Sequence, residues 1–204
     1  DLVPDDYFFL AQVDFADFNQ NNNVTSTQAT STVQWHALDG SPLVLLDTDG
    51  TSVTLSVNGP GQVDVVQSGG RLGNTPADLQ ITATQRSTLI TITTQGGDGR
   101  FAVRNISSTN LGGLLAPTTD ITTGGDINLA SIRNLVLGNV ADQHEINIGP
   151  AAQTGDAVNL TFGQLIDTTI IAQVGIDSLR ATQITNTDSV LDTLTAPWIG
   201  SLFI

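Results

Sequence analysis

Acidic residues in glycine-containing turns are the first candidates for chemistry in this chain. Asp47 and Asp49 stand one residue apart just before Gly50, and Asp39-Gly40 precedes them. Hard oxygen donors at that spacing on a turn can face one Ca²⁺ ion. The stretch lacks the remaining positions of an EF-hand loop, and Asp-Gly pairs are also common in ordinary turns. Two interpretations therefore remain open, a calcium site at Asp47 and Asp49 and a plain turn.

Histidine adjoins acidic residues in one place, at Asp142, His144 and Glu145. If this stretch is a strand, alternation puts Asp142 and His144 on the same face, where they could bind a metal or act as an acid and base pair. A single histidine in such a turn is more often a hydrogen-bonded structural residue. Both interpretations stay open.

The charge balance limits the class of partner. Six arginines and no lysine stand against twenty acids, for a net charge of −14, which argues against nucleic acid or an anionic membrane surface as a partner. No run of 18 apolar residues is present, so we expect no membrane span. The lack of Lys, Cys and Met with abundant Thr and Asn leads us to expect an extracellular or cell-surface protein. Because the chain starts at Asp1, we expect a processed form or a piece of a longer protein.

The elements that position these residues are indicated by a short apolar signature that returns in the second half of the chain. An aliphatic residue, two small or polar residues and a leucine form four copies, which begin at Leu111, Ile132, Ile176 and Ile199. The spacing is about 22 residues, with one degenerate copy expected near Gln153 and a variant copy at 89–92. This period fits a coil of three short strands and three turns. Stacked coils bury an apolar face that one coil cannot bury alone. The sequence therefore predicts an all-β fold, a parallel β-helix (β-solenoid) of either hand with about 22 residues per coil.

The chain divides into an irregular N-terminal segment and the solenoid. Residues 1–35 lack the repeat and are predicted to form a cap or a docking strand, since they carry an aromatic cluster at Tyr7, Phe8, Phe9, Phe15 and Phe18. Residues 36–204 are predicted to form the solenoid module, with less regular coils over 36–110 and regular coils over 111–204.

Three strings resemble the repeat modules of very long secreted or surface proteins of planctomycete-type bacteria. They are SVTLSVNGPG at 52–61, VADQHEINIG at 140–149 and LTAPWIGSL at 194–202, in that order. The resemblance implies a parallel β-helix without an enzymatic role. It does not extend to residues 1–35, and such modules usually continue beyond the position of Ile204.

We therefore expect a non-catalytic structural or interaction module of an extracellular fibre, surface layer or adhesin. An apolar last strand would leave an open solenoid end, which is a site for adding another strand or another copy of the chain. Copies added in this way would form a head-to-tail homo-oligomer or filament, so we expect the chain itself as a partner. The predicted interface comprises the N-terminal aromatic cluster together with Trp198, Ile199, Leu202, Phe203 and Ile204. The alternative is a carbohydrate-binding or polysaccharide-degrading β-helix, with a surface polysaccharide as partner. A lyase acting on acidic sugars would need basic residues, and a hydrolase would need two converging carboxylates. We expect no cofactor apart from possible calcium.

Overall fold

The structure is a computed structural model and describes residues 32–68, 75–122 and 124–204. The aromatic cluster of the N-terminal segment lies outside the described residues. The described chain is all-β and contains fifteen strands, which are β1 (Thr32–Leu38), β2 (Leu43–Leu46), β3 (Ser52–Asn58), β4 (Gln62–Ser68), β5 (Ala77–Thr82), β6 (Leu89–Gln95), β7 (Phe101–Ala116), β8 (Thr119–Ile121), β9 (Ile127–Leu137), β10 (Glu145–Ile148), β11 (Ala157–Ile166), β12 (Thr169–Ala172), β13 (Gly175–Thr185), β14 (Leu194–Thr195) and β15 (Ile199–Phe203).

The strands stack in two long rows. The first row has the order β1-β4-β5-β7-β9-β10-β12-β14. The second row has the order β2-β3-β6-β7-β9-β11-β13-β15. Strands β7 and β9 contribute to both rows because each is long enough to turn a corner of the tube. A third, narrower side joins the start of β7, β8, Val140 and the end of β11.

From β7 onward the chain is a parallel β-solenoid, as predicted from the repeat. Neighbouring strands in both rows are parallel through β15, and the chain makes about five turns with a spacing of about 21 residues. Parallel neighbours follow from the repeat itself, because each strand returns to its row only after the chain has passed around the other sides.

The leucines of the apolar signature form one column inside the tube. Strand pairing places Leu114, Leu135, Leu160, Leu179 and Leu202 directly over one another. The first four are almost completely buried. The variant copy belongs to this column, since Ile90 pairs with Leu114. The degenerate copy lies at Val158–Leu160, a few residues after Gln153, because a longer connection precedes β11.

The first third of the described chain differs from the predicted coils over 36–110. Strands β1 and β4, β4 and β5, β2 and β3, and β3 and β6 pair antiparallel. The β2–β3 connection shows the cause: Asp47 donates its backbone N–H to the Thr51 carbonyl at 2.9 Å, which closes a tight hairpin turn. A turn this short returns the chain beside the strand it has just left, so the neighbours must be antiparallel.

Candidate functional site

The predicted calcium residues lie in a groove where two turns meet. The β2–β3 turn carries Asp47 and Asp49, and the β6–β7 turn carries Asp98 and Arg100; Asp120 of β8 completes the groove, which has a volume of about 290 Å³. Sequence reasoning missed Asp98 and Asp120 because neither is near Asp47 along the chain. The sequence shows two glycine-containing turns of similar composition, but it does not show that these two turns are in contact.

Asp49 joins the two turns through hydrogen bonds to its carboxylate. The backbone N–H of Asp98 donates to it at 2.7 Å, the Thr51 N–H at 2.8 Å and the Thr51 hydroxyl at 3.1 Å. These bonds favour the ionised form and lower the pKa of Asp49 from 3.8 to about 2. The carboxylate therefore stays charged throughout the neutral range.

The other acids of the groove are also engaged with the backbone. Asp47 accepts from the Asp49 N–H at 3.1 Å, and Asp98 accepts from the Arg100 N–H at 2.8 Å. Asp120 accepts from the Asn139 N–H at 2.7 Å and forms an ion pair with Arg100 at 3.2 Å. Carboxylates used in this way organise turns. A glycosidase acid needs a raised pKa, which is the opposite of what Asp49 has.

The structure brings Asp47 and Asp49 together on one turn, as their spacing predicts. Within the described residues, no group of three or more His, Cys, Asp or Glu side chains is arranged to hold a metal ion. Calcium binding at Asp47 and Asp49 therefore stays a prediction.

Of the two interpretations of His144, the structure supports the hydrogen-bonded structural residue and does not pair it with Asp142. Asp142 and Gln143 both have left-handed backbone conformations, with φ of 76° and 62°, so this stretch is a turn in which strand alternation does not apply. Asp142 is exposed, whereas His144 is buried and directs its two ring nitrogens at the carbonyl oxygens of Thr122 and Gly125. His144 is a structural residue that holds the preceding coil.

The other histidine is paired with an acid that the sequence did not reveal. His36 on β1 contacts the carboxylate of Asp64 on β4 through Nδ1. Asp64 is buried and also accepts a hydrogen bond from Gln62 at 2.5 Å. The pairing depends on β1 lying beside β4, and nothing in the local sequence of either strand indicates it.

A shallow groove on the first row is lined by both polar and apolar residues. It has a volume of about 440 Å³, and its polar lining comes from Ser108, Asn128, Asn147 and Gln173. Asn147 donates to Asn128 at 3.2 Å along the stacking direction. Its lining contains neither the aromatic side chains nor the acids that we would expect in a polysaccharide-cleaving cleft.

The predicted interface residues of the last coil form an exposed apolar surface. Ile199 is 42% exposed, Leu202 49% and Ile204 72%, and Trp198 and Phe203 are about half exposed. Arg180 stacks on the Phe203 ring at 4.3 Å from its centroid. We call this surface, formed by residues 198–204, the C-terminal end.

The exposure of the C-terminal end arises because two core columns stop there. Ile199 pairs with Ile176 and Leu202 with Leu179, and those two partners are almost fully buried. Within the described chain β15 pairs only with β13, so its outer edge presents unpaired backbone groups. The same side-chain positions that are core in the previous coil are therefore surface in this one.

The opposite end of the tube also exposes apolar side chains, although more of its inward side chains are buried. Leu38, Val44 and Leu46 are exposed there, while Ala37 and Leu45 are buried. Trp35 and Leu43 are partly buried and pack against the core. We call this surface, formed by β1 and β2, the N-terminal end.

The part of the chain that the structure describes includes no helix with the length and hydropathy of a membrane span. Compared with protein-family models, with curated proteins and with solved structures, the chain gives no match in any of the three.

Proposed function

We propose that this protein is a non-catalytic structural module of an extracellular fibre, surface layer or adhesin, and that it associates through the ends of its solenoid. The proposal rests on where the apolar surface lies. The large hydrophobic side chains exposed in the described residues fall into two groups, one at 38–46 and the other at 184–204. The flanks of the tube between these groups expose polar side chains.

This distribution favours end-on contact. Exposed apolar surface concentrated at one place marks an interaction site more often than scattered single residues do. At the C-terminal end the surface also has an open strand edge, which can pair with another strand. The net charge of −14 repels any two copies, and the large apolar side chains that could offset this repulsion lie at the ends and not on the polar flanks.

The extracellular assignment is supported by composition and by the resemblance of three strings to modules of long surface proteins. The lack of cysteine and lysine fits an exported protein. A test is surface labelling of intact cells that express the protein. Labelling confined to lysed cells would contradict an extracellular location.

End-on association is tested by charging the C-terminal end. In the double variant Ile199→Asp, Leu202→Asp, two carboxylates would have to be buried in the contact, so we expect association to be lost. The matched control is Ser107→Asp, Asn128→Asp, which adds the same charge on the flank of the first row. Sedimentation velocity and negative-stain imaging at equal concentrations compare both with the wild type. If the wild type remains monomeric at high concentration, or if both variants lose association equally, the proposal fails.

The amide-lined groove supports a second candidate function, binding of a neutral polysaccharide. Asn128 and Asn147 present hydrogen-bonding groups at the strand spacing, which suits a polymer with repeated hydroxyls. Affinity electrophoresis in gels containing neutral polysaccharides tests it. Retardation that disappears in Asn128→Ala, Asn147→Ala would favour this function, and unretarded migration in every gel would exclude it for the polymers used.

A further inference from the structure

We infer that the partner of the C-terminal end is the N-terminal end of a second copy of this chain, bound head to tail so that both strand rows continue from one copy into the next. This inference rests on the proposed function, because it identifies the partner at the surface proposed there. Three observations support it: the direction of the end strands, the alignment of the core columns and the apolar character of both ends.

The end strands have matching directions. In the first row, β1 is antiparallel to β4, and β4 is antiparallel to β5, so β1 runs in the same direction as β5 and the later strands of that row. In the second row, β2 is antiparallel to β3 and β3 to β6, so β2 also runs with the solenoid strands. Two reversals in each row restore the original direction. A copy stacked head to tail would therefore make parallel pairs of β14 with β1 and of β15 with β2.

The columns of the first row start and end on compatible residues. Strand pairing connects Trp35 on β1, through Val65, Leu79 and Ile106, to Ile127 and then to Ile146, Ile170 and Leu194. Trp35 and Leu194 are both only partly buried and pack against the core from opposite ends. Stacking of a second copy in the same register would put Trp35 over Leu194 and complete the burial of both.

The second row provides a similar match at Leu43 and Ile204. Leu43 pairs with Leu55, which pairs with Ile92. Because Thr91 pairs with Leu115, Ile92 lies over Ala116, and Ala116 pairs with Leu137. Because Val136 pairs with Thr161, Leu137 lies over Phe162, and Phe162 pairs with Ala181. At the other end Arg180 pairs with Phe203, so the position that follows Ala181 in this column is Ile204. Head-to-tail stacking would place Leu43 next to Ile204, the most exposed residue of the C-terminal end.

A contact of this kind does not close on itself. The two surfaces that meet are different, so each added copy again presents a free C-terminal end, and association leads to a filament. The first row contains eight strands, and strands are about 4.8 Å apart. The eight described strands of this row would therefore contribute about 38 Å to the length of the filament for each copy.

Engineered cysteines test the arrangement directly, because the natural chain has none. Gln34 and Thr193 are exposed, outward-facing positions of one column, which runs through Val66, Asp78, Asn105 and Thr169. In a head-to-tail contact their Cα atoms would be about one strand spacing apart, within the range of about 4.4–6.8 Å that a disulfide bridges. The variants are Gln34→Cys and Thr193→Cys, each purified reduced, mixed and then oxidised. The control is Asn128→Cys, an exposed position on the flank of the same row.

We expect the mixture of Gln34→Cys and Thr193→Cys to form a mixed disulfide dimer that is lost when Asn128→Cys replaces either variant. The double variant should form a ladder of covalent oligomers. If Thr193→Cys alone forms dimers and the mixture does not, two C-terminal ends face each other and the inference is wrong. If no mixed dimer forms although Ile199→Asp, Leu202→Asp still abolishes association, the end is the interaction site but another partner surface covers it, which also overturns the inference. A protein that stays monomeric and uncrosslinked contradicts both this inference and the proposed association.

Discussion

At the scale of single residues, the acids of this chain serve mainly as hydrogen-bond acceptors that join separate turns and strands. Asp78 illustrates the balance: burial raises its pKa, but hydrogen bonds from Arg104 and Asn105 and the Arg104 charge outweigh burial, so that its pKa is lowered. Asp167 behaves in the same way through Thr187, which donates from both its hydroxyl and its backbone N–H. The strongly acidic composition therefore reflects structural acceptors as well as a solvated surface.

The first prediction concerns Asp49 and pH. Its pKa is about 2 in the folded protein against 3.8 for the free group, so its stabilising contribution is fully present above about pH 4 and is lost as pH falls from 3.8 toward 2. We expect Asp49→Asn to lower the melting temperature at pH 7 and to flatten the decline in melting temperature between pH 4 and pH 2. Asp177→Asn, at an exposed position of β13, is the control. Parallel melting curves for the wild type and Asp49→Asn across this pH range would contradict the assigned role.

The second prediction concerns Arg86, which lies in the turn before β6 and binds the long connection that precedes β11. Its guanidinium contacts the carboxylate of Asp156 and donates to Gln153 at 2.7 Å, although these partners are about seventy residues away. Because the pair is partly exposed, we expect Arg86→Ala to cost on the order of 1 kcal/mol in urea unfolding. Limited proteolysis within 149–156 should also become faster. Arg133→Ala, at another exposed arginine, should change neither quantity; equal effects of the two variants would exclude a specific role for the contact.

At the scale of the strands, stability comes from columns of aliphatic side chains that each strand continues. A single strand cannot bury its own inward side chains; these are buried only because the next coil covers them. The leucine column shows this directly, since Leu160 and Leu179 are buried whereas Leu202, in the same column, is half exposed. The contribution of a given leucine to stability therefore depends on whether another coil covers it.

The third prediction compares two leucines of that column. Leu160→Ala should lower the free energy of unfolding by roughly 2–5 kcal/mol, because it removes buried contacts and leaves a cavity. Leu202→Ala should cost much less in dilute monomer, because Leu202 already contacts water. Urea titration of both variants at low concentration measures the difference. Equal losses would mean that Leu202 is covered even in the monomer, which would contradict the open end.

A fourth prediction concerns the corner formed by Gly175 and Trp198. A Cβ atom added at Gly175 would overlap the indole ring of Trp198, which lies across the glycine backbone. We expect Gly175→Ala to destabilise the last coil and to change tryptophan fluorescence, because the indole must move. In Gly175→Ala, Trp198→Ala the clash is absent, so the loss from the two changes should be smaller than the sum of the single losses. Additive losses would show that the two residues do not interact.

At the scale of the whole molecule, the protein is a tube with an antiparallel N-terminal part, a parallel solenoid and two apolar ends. The antiparallel strands β1–β6 cover the first coils, so that most inward side chains at that end are buried or half buried. The last coil lacks such a cover among the described residues. This asymmetry gives the molecule a direction, which a head-to-tail assembly would preserve.

The fifth prediction concerns the salt dependence of association. Each copy carries a net charge of −14, so two copies repel each other in dilute salt. The proposed contact is apolar and is little weakened by salt, whereas the repulsion is screened within about 10 Å at 0.1 M ionic strength. Association measured by sedimentation should therefore strengthen between low and moderate ionic strength. Dissociation on adding salt would indicate a contact held by ion pairs and would contradict an apolar interface.

The repeat in the amino-acid sequence was sufficient to predict the solenoid. The repeat of inward leucines between Leu111 and Leu202 allows only one economical burial, with matched positions stacked at the strand spacing, and the coordinates show that column. Trp198, Ile199, Leu202, Phe203 and Ile204 were predicted as interface residues, and their side chains are exposed in the described structure.

The pairing of strands β1–β6 and the contacts between distant polar groups could be read only from the folded chain. Alternating strands such as β3 look the same in an antiparallel hairpin and in a coil, so the patterns of these strands did not predict their antiparallel pairing. The contacts of Asp49 with Asp98, of His36 with Asp64 and of Arg86 with Asp156 join residues that are far apart in sequence. Local patterns carry no information about such pairs, because a hydrogen bond between distant groups depends on where the packed strands bring them. The columns follow from apolar residues that repeat at a regular interval, and this interval can be seen in the sequence. The polar contacts depend on the course of the folded chain in three dimensions, which the sequence does not show.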